Sequence, residues 1–569
     1  LSGIIVTNDA GERTSDGINT MATASAKLLE SGITAFDNQR WHEAFEQLSA
    51  ASAESRLEPD DLVLLACAAY LSGREADATR AWTDAHHVFT ERSQSRSGAR
   101  CAFWLSLTAL LSGDGSRSAG WLARAQRELK PHPDCAEQGL TRIVTGLLQM
   151  GRQPEESATH FAEAVALAER HGDADLLAFG LLGRGQALIK TEKVAAGVVL
   201  LDEAMATVMS GVSPIVAGIV YCAVILACQD IFDIKRAREW TAALDAWCYG
   251  QPDMVAFRGK CLIHRSEILQ MNGDWQHACA EAQRACDWYR EREQPSSGRA
   301  YYQRAELHRL RGELAAANEM YQEAARGGFE PQPGLSLLRL AEGEVDTAAA
   351  AIRRVMSEAG GRQDPHAGRA LGRVLGPYVE IMLACNDLRS ARQGAEDLAK
   401  LAADADVPFL VAASADATGC VLLAEGDANA ALLSLRRAWQ AWQDIEASYE
   451  SARVQALIGK ACLELGDADT AHDHLAAARA VFERLGASPA LALIDEHHAS
   501  STAGEAAELT ARERDVLAQL ASGKTNRQIG ETLHISEHTV ARHVSNLFNK
   551  LAVSSRTAAA TYAHKHGLQ

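Results

Sequence analysis

The chain has 569 residues, 56 Lys+Arg against 74 Asp+Glu, a formal net charge of −18 and a hydrophobic fraction of 47%. That length exceeds one ordinary hydrophobic core, and the apolar content excludes a mostly disordered protein. Taken whole, the acidity argues against a chain that coats nucleic acid or anionic membrane. The longest nearly unbroken apolar run, Ile215 to Cys228, is 14 residues and too short for a bilayer, and no secretory leader is evident. Twelve scattered cysteines without a C-x-x-C pair fit buried thiols in a reducing compartment better than disulfides or a zinc site. The expectation is a cytoplasmic protein of several structural units, with no membrane partner.

Residues 1–20 are polar and contain Gly, Asn and Asp, which reads as a disordered N-terminal segment with Met21 as the physiological start. From 21 to 497 one pattern recurs: a small or polar turn residue, Ala at +5, an apolar or small residue at +9, and another at +12. Gly73, Gly273, Gly312, Gly343, Gly426 and Gly466 begin such motifs, as does Asn386. Looser versions start near Gln39, Asp114, Gln153, Thr191 and Phe232. Steps of four and three residues put these positions on one helix face, and the turn residue permits an antiparallel helix pair. One pair cannot bury its apolar face alone, so neighbouring pairs must stack into a solenoid. The alternative, a nonrepetitive helical domain, leaves the near-constant spacing of about 40 residues to chance. The pattern resembles tetratricopeptide-type repeats with a longer period, and the fold class expected is all-α.

Residues 498–508, His-Ala-Ser-Ser-Thr-Ala-Gly-Glu-Ala-Ala-Glu, have no apolar period and read as a flexible linker. Beyond it the charge changes sign. Residues 509–569 hold eight Lys/Arg and four acids, +4, so the preceding part carries −22. Thr510 with Glu513, and Thr525 with Gln528, have capping-box spacing, and Ser536 is a third N-cap. A short helix from Thr525, a turn at His534-Ile535 and a longer helix over 537–551 make a helix-turn-helix.

In the longer helix, Val540, Val544, Leu547 and Leu551 form the packed stripe. At about 100° per residue, His538, Ala541, Arg542, Ser545 and Asn549 lie roughly 100–200° from Val540, on the side free to enter a major groove. These are the candidate base contacts. Thr525, Asn526 and Arg527, at a helix N-terminus, are candidate phosphate contacts, which Lys550 and Arg556 extend.

Leu509-Thr-Ala-Arg-Glu-Arg-Asp-Val-Leu, Thr525-Asn-Arg-Gln-Ile, Ile535-Ser-Glu-His-Thr-Val, His543-Val-Ser-Asn-Leu and Lys550-Leu-Ala-Val-Ser-Ser-Arg-Thr closely resemble the LuxR-type DNA-binding domain. The resemblance covers about residues 509–566. It implies a four-helix domain that binds double-stranded DNA as a homodimer, with the fourth helix, about Ser555–His566, at the dimer contact. It also implies base reading at Ala541, Arg542 and Ser545, with Thr539, His543 and Lys550 at backbone or framework positions. Alanine at 541 restricts that position to an apolar contact. Tyr221–Asp230, Gly259–Glu267 and Tyr302–Gly312 make the body similar to large bacterial LuxR-type regulators with long repeat regions. Unlike many of these, the chain has no ATPase P-loop: its Gly523-Lys524-Thr525 has Ala518 where glycine is required. No cofactor is expected.

His264 and Arg265, with Tyr302, Arg304 and Glu306 about one repeat further on, are candidates for an effector pocket, against the plainer reading of inter-repeat ion pairs. No metal-ligand constellation or catalytic motif is present in the sequence, so the chain does not read as an enzyme. The functional expectation is a DNA-binding transcriptional regulator whose repeats sense a protein or small molecule, with RNA polymerase as a further partner. The alternative is a repeat scaffold whose C-terminal module serves for dimerisation.

Overall fold

A computed structural model describes residues 12–251, 253–291, 298–361, 367–405, 407–502, 509–551, 553 and 555–566. Among these residues there are 29 helices and no strand. They fall into two units, residues 1–265 and 266–569.

Unit 1 is built from α1 (Glu12–Asp37), α2 (Trp41–Glu54), α3 (Pro59–Leu71), α4 (Glu75–Glu91), α5 (Ser95–Leu111) and α6 (Gly115–Glu128). It continues with α7 (Ala136–Gln149), α8 (Pro154–His171), α9 (Ala174–Lys190), α10 (Val194–Gly211), α11 (Pro214–Asp230) and α12 (Ile234–Tyr249). The unit boundary falls within α13 (Arg258–Asn272). Unit 2 follows with α14 (Trp275–Glu291), α15 (Gly298–Arg311), α16 (Leu314–Arg326), α17 (Gly334–Ala341), α18 (Val345–Gly361) and α19 (Ala367–Ala384). Then come α20 (Leu388–Ala405), α21 (Pro408–Ala424), α22 (Ala428–Asp444), α23 (Ser448–Glu464), α24 (Ala468–Leu485) and α25 (Ser488–Thr502). From α1 to α12 within unit 1, and from α14 to α25 within unit 2, each helix packs on the next, the stacked helix-pair architecture expected of the repeats.

The turn inside each pair closes on a left-handed residue at Gln39, Gly73, Gly113, Glu192, Phe232, Gly273, Gly312, Gly343, Asn386, Gly426 and Gly466. These are the expected repeat starts to within one residue. The exception lies between α7 and α8, where the turn at Gly151-Arg152 closes without a left-handed residue. The +5, +9 and +12 side chains are then driven into the hairpin contact. Ala78, Trp82 and Ala85, Ala278, Ala282 and Ala285, and Ala431, Leu435 and Ala438 are all fully buried. Alanine at these crossings lets the two backbones approach closely.

Beside a smaller cluster of Ala99, Ala102, Ala125, Leu129 and Cys135, the main core of unit 1 draws on residues from Ala35 to Cys261. Rings fill it in succession: Trp82 stacks on Trp104 at 5.8 Å, and Trp104 meets Phe103 and Phe179. The stack curls until residues after α12 touch α3, where the Val255 N–H donates to the Leu71 carbonyl at 2.8 Å. Helix α10 is long and apolar enough by length and composition to cross a bilayer, although Asp202 and Glu203 interrupt its apolar run. It buries Val198, Leu201, Ala204, Met205 and Val208 within the unit.

Unit 2 also returns on itself: Ser448 Oγ donates to the Asn272 carbonyl at 2.8 Å, and Arg484 Nη1 to the Gly273 carbonyl at 3.0 Å. Two expected boundaries lie elsewhere in the structure. Helix α1 begins at Glu12 and passes through position 20, and residues 1–11 lie outside the described residues. Helix α25, packed through Ala490 and Ile494, enters the segment read as a linker and continues to Thr502. Residues 503–508 lie outside the described residues.

Candidate nucleic-acid interface

The C-terminal module consists of α26 (Ala511–Ala521), α27 (Asn526–Leu533), α28 (Glu537–Lys550) and α29 (Arg556–His566). Both expected capping boxes form, Thr510 with Glu513 and Thr525 with Gln528. Ser536 Oγ accepts the Thr539 N–H at 3.1 Å and so opens α28. Val516, Leu517, Leu520, Ile529, Val540, Val544, Leu547, Ala559 and Ala563 make a separate small core that holds the four helices together. The helix-turn-helix angle depends on Gly530: a Cβ there would lie 2.6 Å from the Ile535 carbonyl oxygen. His534 caps α27 in the left-handed conformation.

With the Val540 stripe buried, His538, Ala541 and Ser545 are exposed along α28. Arg542 is half-buried on the same helix, while the side chain of Asn549 lies outside the described residues. Thr525 and Arg527 are exposed at the start of α27. Other residues expected at the DNA backbone have internal partners. Lys550 Nζ donates to Glu513 Oε2 at 2.9 Å, tying the end of α28 to the start of α26. Arg556 forks to Asn526 Oδ1 at 2.6 Å and the Lys524 carbonyl at 2.8 Å, fastening α29 to the entry of α27. His543 is buried, and burial, opposed by Asp467, holds its imidazole below the ordinary histidine range. The neutral ring at 3.8 Å from Asp467 Oδ2 is therefore a packing contact rather than an ion pair. Thr539 is half-buried and its hydroxyl meets that of Ser536.

Two participants were not singled out by sequence. Arg512 is buried and donates from Nη2 to the Leu533 carbonyl at 2.6 Å, satisfying the end of α27. Asn546 reaches outside the module to Asp469 Oδ2 at 2.9 Å. A charge count registers Arg512 only as a cation, and no local pattern announces a contact across 77 residues.

That contact is one of several with the α23–α24 turn. Arg542 lies 3.3 Å from Asp469, 3.6 Å from Asp473 and 3.9 Å from Asp467, and donates to Thr470 Oγ1 at 2.8 Å. Thr510 sits on Gly466, where a Cβ would lie 2.5 Å from the Thr510 Cβ.

The candidate effector residues are placed in different units. In unit 1, Arg265 pairs with Asp245 at 2.9 Å and His264 is buried beside it in sequence. In unit 2, Tyr302 packs on Tyr321 and Phe329, while Glu306 accepts from Tyr321 and from Arg309 at 2.6 Å. Arg304 faces Cys286, whose thiol burial pushes up to about 11 against the pull of that guanidinium.

Residues 507–563 match the family described as bacterial regulatory proteins, luxR family. The chain is 54% identical over 61 residues to the uncharacterized transcriptional regulatory protein YhcZ of Bacillus subtilis, covering 11% of this chain and 28% of that protein. It is 52% identical over 60 residues to the transcriptional regulatory protein LiaR of the same organism, covering 10% and 28%. The chain thus spans under a third of the length of these relatives. A solved structure, the APC/C hetero-tetramer Cut9-Hcn1, aligns over 83% of this chain and 96% of its own at 13% identity, with a TM-score of 0.36. That likeness is too slight to bear on the fold, which rests on the helix pairs themselves. The capping boxes, the Gly530 turn and the family match together establish that the chain ends in a helix-turn-helix domain of the LuxR type.

Proposed function

We propose that the chain is a DNA-binding transcriptional regulator whose C-terminal domain reads the major groove through α28, under the control of the helix-pair body. The observation that carries this reading is the face of α28 opposite its core. His538, Ala541 and Ser545 stand exposed there beside Arg542, on a helix whose other face is locked by Val540, Val544 and Leu547. A helix with an exposed polar face, edged by an arginine, meets the geometric requirement for entering a groove about 12 Å wide. Arg542 supplies a planar fork for guanine, Ser545 and His538 supply adaptable hydrogen bonds, and Ala541 offers an apolar contact. Thr525 and Arg527 at the α27 N-terminus would grip phosphate.

The net charge of −22 on residues 1–508 opposes DNA there and favours the C-terminal helices, which carry +4. Its role is proposed to be sensing, of a protein or a small molecule, with Tyr302, Arg304 and Glu306 of unit 2 as the leading effector contacts. Homodimerisation through α29 and contact with RNA polymerase belong to the same proposal.

The test is selection of genomic fragments by the full-length protein, followed by a salt titration of the selected duplex. The expected outcome is enrichment of a two-fold-related sequence whose affinity falls steeply with salt. Binding without sequence enrichment or salt dependence would favour the scaffold alternative.

A further inference from the structure

The contact between α28 and α24 involves Arg542, the residue assigned to base reading. Its guanidinium lies within 3.9 Å of three carboxylates, those of Asp467, Asp469 and Asp473, and donates to Thr470. Asn546, one turn further along the same edge, donates to Asp469. Thr510, which caps the first helix of the domain, seats on Gly466 in the same turn. Helix capping explains only part of this acidic group. Asp467 caps α24 by accepting the Thr470 N–H at 3.2 Å, whereas Asp469 and Asp473 turn their carboxylates to α28.

From this arrangement we infer that the first turn of α24 is a docking surface for the chain's own recognition helix, and that it keeps the DNA-binding domain from DNA until released. The inference rests on the DNA-binding reading above.

Two physical arguments support it. The first is steric. A helix with its side chains is about 10–12 Å across and nearly fills a major groove, so phosphate backbone must flank it on both sides. Helix α24 lies within hydrogen-bond distance of the Arg542–Asn546 edge, where one of those backbones would run. The second is electrostatic. Three carboxylates around one guanidinium engage the donors that would meet a guanine edge and leave an excess of negative charge that repels DNA. The remaining face, His538, Ala541 and Ser545, stays exposed, so the helix is covered along one edge only. The contacts are also suited to release. Asp469 and Asp473 are 45% and 74% exposed, so each pair is individually weak and an effector acting on the last repeats need shift the turn only slightly.

The test compares the full-length protein with Asp467→Asn/Asp469→Asn/Asp473→Asn. Asparagine at 467 preserves the cap, and 469 and 473 face solvent or α28, so α24 is retained. Asp473→Arg, at the most exposed of the three, is a second variant free of capping effects. Duplex affinity is measured by fluorescence anisotropy on fragments from the selection, and amide hydrogen exchange is followed across α24 and α28. Masking predicts that both variants bind DNA more tightly, the triple variant by about tenfold, with faster exchange at the α24–α28 contact in the absence of DNA. Binding by all three proteins with equal affinity overturns the masking and leaves the DNA-binding reading intact. Failure of every protein to bind DNA at any salt overturns both. Unchanged exchange in variants that bind more tightly also overturns the masking, since the gain would then reflect only the lower negative charge.

Discussion

Glu513 joins the two ends of the DNA-binding domain, and its removal gives a quantitative test of how that domain is held. Its Oε2 accepts the Thr510 N–H at 2.9 Å, the Thr510 hydroxyl at 3.0 Å and the Lys550 ammonium at 2.9 Å. In Glu513→Ala the capping box is lost, at about 1 kcal/mol. The Lys550 contact adds about 0.5–1 kcal/mol, reduced by the half-exposure of that lysine. Loss of a first-turn carboxylate from the α26 dipole contributes about 0.3–0.5 kcal/mol more. The sum is about 2 kcal/mol, which raises local opening roughly thirtyfold.

Hydrogen exchange of the α26 and α28 amides in the full-length protein reads that opening directly. Glu513→Gln keeps an acceptor for the Thr510 N–H and should lose only about half as much. The pH dependence has a defined sign. Burial pushes the Glu513 carboxyl up, but Lys550 and Thr510 outweigh it and hold it below the ordinary glutamate value of 4.5. Its contribution is therefore complete above that value and is lost as pH falls through the lower folded-state pKa. The acid-induced rise in α26 and α28 exchange should be weaker in the glutamine variant. Equal exchange in wild type and Glu513→Ala would refute the reasoning, because it would mean that the hydrophobic core alone sets the stability of the domain.

Two further outcomes follow from the same kind of contact. Arg556→Ala removes both bonds of the fork to Asn526 and Lys524 and should cost the domain about 1–2 kcal/mol. Arg556→Lys should not restore it, since an ammonium cannot make both bonds, and urea unfolding followed by exchange at α29 checks this. In unit 1, burial of Glu137 is outweighed by Arg96 and Arg100, each donating at 2.9 Å, so its carboxyl falls to about 2. Its stabilisation is present above pH 4.5 and is lost as pH falls toward about 2. After discounting for solvent at the half-exposed arginines, Glu137→Gln should lower unit 1 stability by about 2 kcal/mol at neutral pH and flatten that acid limb. Urea midpoints at pH 7 and pH 3 measure both effects.

Much of this protein is local in origin and was legible in the sequence. The repeat turns follow from a left-handed residue before a helix whose +5, +9 and +12 positions share one face, and eleven of the turns occur at or beside the expected residue. The two capping boxes are four-residue motifs, and they form as their spacing requires. The exposed row His538, Ala541 and Ser545 follows from helical periodicity once the Val540 stripe is buried. Periodicity fixes the face of a side chain but not its partner.

The partners were decided by tertiary structure. Arg556, Lys550 and His543 look like phosphate contacts in a basic segment, yet packing turns each inward to a group that sequence separation hides. The five candidate effector residues share repeat spacing, yet they divide between two units. The net charge is the plainest case. The sequence divides −18 into −22 and +4 and so locates the DNA-binding end, but charge totals carry no positions. Only the fold brings Asp467, Asp469 and Asp473 to Arg542, because a contact across some 70 residues depends on how helix pairs stack and not on any pattern within them.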